Sequence, residues 1–316
     1  MPRHRRHRPV AMDGGTATAV RCTNQMAMLS ARGRPWVVAA LMIVSLFCAL
    51  VCPTGAGTGA LEDRLRGFSV GAHRGGFWSV SQSARSDFAS SIANGADLLE
   101  IDLRWTKDGG VVVYHSDTLS KHTFCLGQVR DRTFDDVMHC RLLPTGARIE
   151  SFEKLLRWTR GTNVVLDAEF KDDEVVGPAL ALAERYDAWD RIYFQANAHY
   201  DRYARARELA PRANLQVNAS DMDTLRWALQ LDDPYLVVIA LREQIQTQEA
   251  VALVHQHGKL ASANSWRPSD YQEFFTAGCD RLFAMGVDIV ITNNVRSCIA
   301  QRAAWQRRRD RSLAGR

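Results

Sequence analysis

From residue 68 onward, apolar runs of strand length alternate with amphipathic stretches of helix length. The strand candidates are FSVGAH, DLLEIDLRW, VVVYH, NVVLDAEFK, RIYFQA, NLQVNA, LVVIAL, KLASAN and DIVITNN. Between most of them lie segments such as VGPALALAERYD, AHYDRYARARELA and REQIQTQEAVALVHQHG. This alternation predicts βαβ units and a parallel sheet. Eight or nine such strands in one chain predict a TIM (β/α)8 barrel. The competing expectation is a doubly wound open sheet, but no glycine-rich phosphate loop follows a first strand. Two features break the pattern. DLLEIDLRW and VVVYH are joined only by TKDGG, too short for the crossover that a parallel pair needs. Residues 116–148 are long and polar and carry Cys125 and Cys140. Long irregular segments are usually functional or disordered. A disulfide-tied loop insertion over the barrel mouth is expected, the alternative being a surface excursion without a role.

Upstream of the barrel pattern, residues 36–52 (WVVAALMIVSLFCALVC) form an uncharged apolar run. Arg32 and Arg34 precede it, and small residues follow it up to Ala60. That layout is a secretory signal with its cut at Thr58-Gly59-Ala60. The run falls short of the ~20 residues of a bilayer span, which favours cleavage over an uncleaved membrane anchor. No lipoprotein box is evident, since Ala49 and Val51 stand before Cys52 where a leucine and a small residue belong. Met26 or Met28 is an alternative start. The chain therefore divides into a basic leader with signal peptide or anchor (1–60), a barrel (61–300) and a basic tail (301–316). The body is expected to be exported, periplasmic or extracellular, with membrane association only through the N-terminal segment.

Charge sharpens this division. The first 35 residues hold seven Arg against one Asp, and the last sixteen hold six against one. The formal net charge is +5, so the two ends carry +11 and the body −6. A nucleic-acid partner would need a basic face on the folded body, and this balance argues against one. Cys22, Cys48 and Cys52 fall in or before the apolar run, leaving Cys125, Cys140, Cys279 and Cys298. An even count in an exported domain predicts disulfides. Neighbour pairing joins Cys125 to Cys140 and Cys279 to Cys298; four free buried thiols are the alternative.

The candidate chemistry sits where strands end. Strand side chains alternate faces, so Glu100 and Asp102 point the same way, as do Asp167, Glu169 and Lys171. Paired carboxylates repel unless a cation sits between them, and a hard divalent ion suits that oxygen pair. His73 ends the first strand and His115 ends VVVYH. Active sites of this fold gather at the carboxyl ends of strands. A lone histidine there is usually structural. Two of them with three carboxylates are hard to explain as packing, because inward polar groups are costly unless satisfied. Leu99, Ile101 and Leu103 already claim the packing face of their strand. Lys107-Asp108-Gly109 reads as a turn without chemistry. Trp78 and Trp266 near strand ends line the pocket or pack; His4, His7, His255 and His257 are given no role.

With these residues in hand, the chain resembles the glycerophosphodiester phosphodiesterase family. The matching pieces are AHRGG at 72–76, GADLLEIDLRWTKDGGVVVYHSDTL at 95–119, LDAEFK at 166–171 and GVDIVITNN at 286–294. The resemblance implies a TIM barrel binding one divalent metal, Ca²⁺ or Mg²⁺, through Glu100, Asp102 and Glu169. It implies catalytic His73 and His115, here taken as base and acid, and phosphate-binding Arg74 and Lys171. The implied reaction is hydrolysis of small-molecule glycerophosphodiesters to sn-glycerol 3-phosphate and an alcohol, with water or the substrate's own hydroxyl as nucleophile. Alternatives are a phospholipase D-like barrel on intact lipids and a non-catalytic headgroup-binding barrel. The sequence also departs from the family. Ser81-Gln82-Ser83-Ala84 stands for a Pro-Glu-Asn-Thr box, Ala261 for a tryptophan ahead of Asn264, and Thr292-Asn293 for Thr-Asp. These changes bear on substrate identity more than on activity.

Overall fold

In a computed structural model of the chain, the described residues are 59–65, 67–76, 82–197, 200–266 and 278–314. The leader, the apolar run, Cys22, Cys48, Cys52, Trp78 and Ser81 lie outside them. No described helix is long and apolar enough to cross a membrane.

Eight parallel strands close on themselves: β1 (Ser69–His73), β2 (Leu98–Trp105), β5 (Val165–Phe170), β6 (Ile192–Gln195), β7 (Leu215–Ala219), β8 (Leu236–Leu241), β9 (Leu260–Asn264) and β10 (Ile289–Thr292). Closure comes from β1, which pairs with β10 on one side and β2 on the other. The eight are the sequence candidates other than VVVYH, and they form the expected TIM barrel. The missing crossover after β2 now has its reason. The TKDGG turn makes a hairpin, so β3 (Val111–Val113) runs antiparallel to the last three residues of β2 and stands outside the barrel. A two-residue strand, β4 (Glu150–Ser151), continues this side sheet and had no signal in the sequence.

Ten helices belong to the described chain: α1 (Gly59–Leu65), α2 (Arg85–Ala93), α3 (Phe134–His139), α4 (Phe152–Thr159), α5 (Val176–Arg185), α6 (Tyr200–Leu209), α7 (Met222–Leu229), α8 (Gln248–Gln256), α9 (Cys279–Met285) and α10 (Val295–Ala314). Several start at side-chain caps. Ser151, Asp221 and Thr247 accept from backbone N–H groups in the first turns of α4, α7 and α8, satisfying donors that the helix cannot. The main core lies between barrel and helices, where alternate strand residues such as Leu99, Ile101 and Leu103 meet helical apolar faces. A second cluster fills the barrel interior with Leu98, Val165, Tyr193, Val238, Leu260 and Ile289, closed off by Leu61 and Leu65 of α1. Helix α10 carries the arginine-rich 301–314 segment as a continuous helix. Its Trp305 packs on Phe68 with ring centroids 4.4 Å apart, and Arg302 donates to Phe68 O and Asp97.

The insertion after β3 has its own small core of Val112, Tyr114, Leu119, Val129, Val137, Leu142 and Ile149. The expected pairings are both present: Cys125–Cys140 ties this insertion, and Cys279–Cys298 ties α9 to α10. Closing a loop of about 15 residues restricts the unfolded chain by about 3 kcal/mol. A C125S/C140S double variant should therefore lose about that much stability, read as a lowered urea midpoint. An unchanged midpoint would mean that the insertion core holds without its clasp.

Candidate functional site

The AHRGG segment builds one wall of the site through its turn. Arg74, Gly75 and Gly76 have φ of +51°, +88° and +79° in succession. At Gly75 a Cβ would lie 2.7 Å from Asp87 Cβ, so both conformation and space demand glycine. The curl aims the Arg74 backbone N–H at Glu100, donating to Oε2 at 2.9 Å and to the carbonyl at 3.1 Å. The Arg74 guanidinium then reaches Asp102, Nε to Oδ2 at 3.2 Å, and donates through Nη1 to Gln82 Oε1 at 3.2 Å. Gln82 belongs to the stretch replacing the Pro-Glu-Asn-Thr box, and here it holds the arginine.

Register brings the acids together. In the β2–β5 pair, Glu100 stands beside Asp167 and Asp102 beside Glu169. Carboxylate oxygens of Glu100, Asp102 and Glu169 lie within 4.8 Å of one another. Lys171, one residue past β5, folds back to donate to Glu169 Oε1 at 2.7 Å and sits 3.4 Å from Asp102 Oδ1. Asp102 is fully buried, and neither of its oxygens has a hydrogen-bond partner among the described residues. Burial, with Arg74 opposing it and Glu169 adding to it, raises its pKa to about 6. Glu100 is raised well above its ordinary value by burial and by Asp102, and Asp167, beneath them, is raised to about 7 mainly by burial. An all-oxygen donor set, whose buried Asp102 meets Arg74 and Lys171 as ion pairs without a hydrogen bond, suits a hard divalent cation.

The two histidines arrive by different routes. His73 ends β1 beside Glu100, with Nε2 3.9 Å from Glu100 Oε2. Its Nδ1 donates to Asn293 Oδ1 at 2.6 Å, leaving Nε2 as the free nitrogen. The Trp266 ring stacks on its face at 4.5 Å. His115 comes from outside the barrel through the β2–β3 hairpin. Arg104 fixes its carbonyl with two donors at 3.0 and 2.8 Å, and ties it through Nη1 to Asp172 at 2.8 Å. Both imidazoles are lowered to about 3, by burial first and by Arg74 second. They are neutral at physiological pH.

All seven expected residues except Asp102 line one cavity of about 560 Å³ at the carboxyl ends of the strands. Asp102 lies behind the lining, in contact with Arg74 and Lys171. Polar residues not singled out from sequence also line the cavity: Gln195, Gln216, Asn218, Arg242 and Gln246. Arg104 was also missed, although it shares the Glu100–Asp102 face by the same period of two. A larger groove of about 750 Å³, lined by residues such as Leu61, Leu180 and Leu209, contains none of these groups.

Residues 73–297 match the model of the glycerophosphoryl diester phosphodiesterase family. A glycerophosphodiester phosphodiesterase of Bacillus altitudinis is 27% identical over 234 residues, covering 67% of this chain and 92% of that one. Human lysophospholipase D GDPD3 is 26% identical over 130 residues, 37% of this chain and 41% of that one. The fold is similar to an Oleispira antarctica phosphodiesterase solved with its product sn-glycerol-3-phosphate. That likeness has a TM-score of 0.64 and 17% identity, over 76% of this chain and 98% of the other. With its barrel, its acidic cluster and its matched motifs, this chain belongs to the glycerophosphoryl diester phosphodiesterase family and is an enzyme that hydrolyses glycerophosphodiesters.

Proposed function

We propose that the hydrolysis depends on one divalent ion, Ca²⁺ or Mg²⁺, held by Glu100, Asp102 and Glu169, with His73 and His115 transferring the protons. The observation that carries this reading is the convergence of three carboxylates within 4.8 Å around a buried Asp102 that lacks hydrogen bonds. When bound, such an ion neutralises phosphate charge and polarises a non-bridging oxygen. Arg74 and Lys171 add positive charge, the guanidinium suiting phosphate geometry and the ammonium acting as a point charge. His73, held at Nδ1 by Asn293, presents Nε2 to take the proton of the attacking oxygen. As the phosphorus–alkoxide bond breaks, His115, protonated from solvent when the anionic diester binds, gives that proton to the leaving oxygen, and His73 returns the proton it has taken to solvent. Both imidazoles are weak bases in the free enzyme, and the negative charge of a bound diester between them raises their proton affinity. The products are sn-glycerol 3-phosphate and an alcohol, with water or a neighbouring substrate hydroxyl as the attacking group. We further infer export, on the signal-like run at 36–52 and the two disulfides of the body. Membrane association, where it occurs, then resides in the N-terminal segment.

A second reading, hydrolysis of lysophospholipids, draws support from the partial likeness to lysophospholipase D GDPD3. Comparing glycerophosphocholine with lysophosphatidylcholine distinguishes the two, and faster choline release from the lysolipid favours the second.

Treatment with EDTA should abolish turnover of glycerophosphocholine, and Ca²⁺ or Mg²⁺ should restore it. Each of His73→Ala and His115→Ala should lower kcat by about 10²–10⁴-fold with the fold intact. Full activity in the chelator sinks the ion, and unimpaired histidine variants sink the proton-transfer roles.

Stability should depend on pH in a definite direction. Asp102 and Asp167 are raised from 3.8 to about 6 and about 7, so the folded state holds protons that the unfolded chain has released. Their stabilising contribution is present below about pH 4 and is lost as pH rises through about 6 to 7. In EDTA the melting temperature should therefore fall between pH 5 and 8. Ca²⁺ should recover it most at the upper end, because ligands bind the ion deprotonated. A melting temperature in EDTA that does not fall between pH 5 and 8 would show that these carboxylates are not strained in the ion-free protein.

A further inference from the structure

Glu169 is reached by a second set of groups that the reaction does not itself require. Asn197 Nδ2 donates to Glu169 Oε1 at 3.2 Å. Asn218 Nδ2 donates to Asn197 Oδ1 at 2.7 Å, and Gln216 Nε2 donates to Asn218 Oδ1 at 2.9 Å. The direction of this chain is forced. An ionised carboxylate can only accept, so Asn197 must turn its NH₂ toward Glu169 and its carbonyl away. That carbonyl must then be met by the NH₂ of Asn218, and the same reasoning passes to Gln216. Three amide dipoles thus align with their positive ends toward one carboxylate, an arrangement in which each bond polarises the next.

The backbone is shaped to permit it. Asn197 follows β6 at φ +54°, a left-handed conformation that asparagine tolerates better than most residues. Its carbonyl is pinned by the backbone N–H of Asn218 at 3.3 Å. Such a conformation persists where the surroundings over-determine it. Gln216 and Asn218 are buried in the barrel wall, so the relay rests on strand β7 rather than on a loop. Both described donors to Glu169, Lys171 and Asn197, fall on Oε1. No described donor reaches Oε2.

We propose that Asn197 is a positioning residue: with Asn218 and Gln216 it forms a one-way relay of side-chain amides that fixes the rotation of the Glu169 carboxylate for the divalent ion. This rests on the reading of Glu169 as an ion ligand. Partners behind a metal ligand typically contribute 10–100-fold in affinity. Asn218 acts through Asn197 and Gln216 through both, so the effect weakens with each step from the carboxylate.

The test is Ca²⁺ affinity of the full chain by isothermal titration calorimetry, with melting in EDTA measured alongside. Asn197→Gly keeps the left-handed backbone accessible while removing the amide. It should weaken Ca²⁺ binding about 10–100-fold and leave the melting temperature in EDTA near that of the wild type. Asn197→Asp faces one carboxylate with another and should weaken binding further. Asn218→Ala, which leaves the backbone of residue 197 untouched, should weaken it in the same direction but less. If Asn197→Gly and Asn218→Ala both bind Ca²⁺ within twofold of the wild type, the relay is overturned while the ion site stands. If the wild type binds no divalent ion, the ligand role of Glu169 is overturned and the relay with it.

Discussion

Four carboxylates on two neighbouring strands set the terms for the rest of the molecule. Glu100, Asp102, Asp167 and Glu169 face the barrel interior in adjacent register, three of them buried. Removing that much negative charge from water is costly, and each carboxylate makes the next harder to ionise. The protein answers partly with its own cations. Arg74 and Lys171 are both held against Asp102. Two cations do not balance four acids, and the remainder appears as carboxylates held above their ordinary pKa. The divalent ion proposed for Glu100, Asp102 and Glu169 would complete the sum. Binding such a cation would be coupled to folding stability, because the same charges govern both.

Around that centre the barrel divides its labour by height. The amino-terminal end is closed by Leu61 and Leu65, packed on Leu98, Val165 and Ile289, an apolar layer that tolerates no functional group. The opposite end carries the chemistry. Seven of the groups in question come from only three segments, the ends of β1, β2 and β5 with their extensions. His115 is the exception. A β-strand inside the barrel would place its side chain in a fixed layer, whereas the hairpin delivers His115 from outside and over the rim. The detour needs anchoring, and Arg104 supplies it by gripping the His115 carbonyl and Asp172 together. The disulfide-tied insertion grows out of that same hairpin, so its small core also limits how far His115 can move.

Much of this was legible in the sequence because period-two alternation is a strong signal. It placed Glu100 with Asp102 and Asp167 with Glu169, while the eight barrel strands stood out as apolar runs of strand length between amphipathic stretches. It did not reveal that Asp102 would stand beside Glu169, since register between strands depends on barrel closure rather than on either strand alone. Nor did it reveal the route of His115, because VVVYH looks like a barrel strand and only the short TKDGG turn argued otherwise. The amides were a different kind of miss. Gln195 and Asn197, and Gln216 and Asn218, repeat the i, i+2 polar spacing of the acids at the ends of the next two strands. Carboxylates and histidines drew attention because they titrate; amides in the same pattern did not. Polar pairs at the carboxyl ends of successive strands were the fuller signal.

That same polar ring bears on which diester the cavity prefers. The wall offers Gln195, Gln216, Asn218, Arg242 and Gln246 against a few apolar patches such as Leu241, Trp266 and Ile291. A glycerol arm and a small hydrophilic alcohol can exchange their hydration for these hydrogen-bonding groups. An acyl chain cannot, and covering the exposed Arg242 guanidinium with it would cost free energy. A lysolipid would therefore have to lead its chain out of the mouth instead of into the barrel. The insertion exposes Phe124 and Leu126 on either side of Cys125, 85% and 71% accessible. The interior thus favours the water-soluble diester, and any gain from a lipid tail has to be made outside the cavity, on a surface separate from the one that cuts the bond.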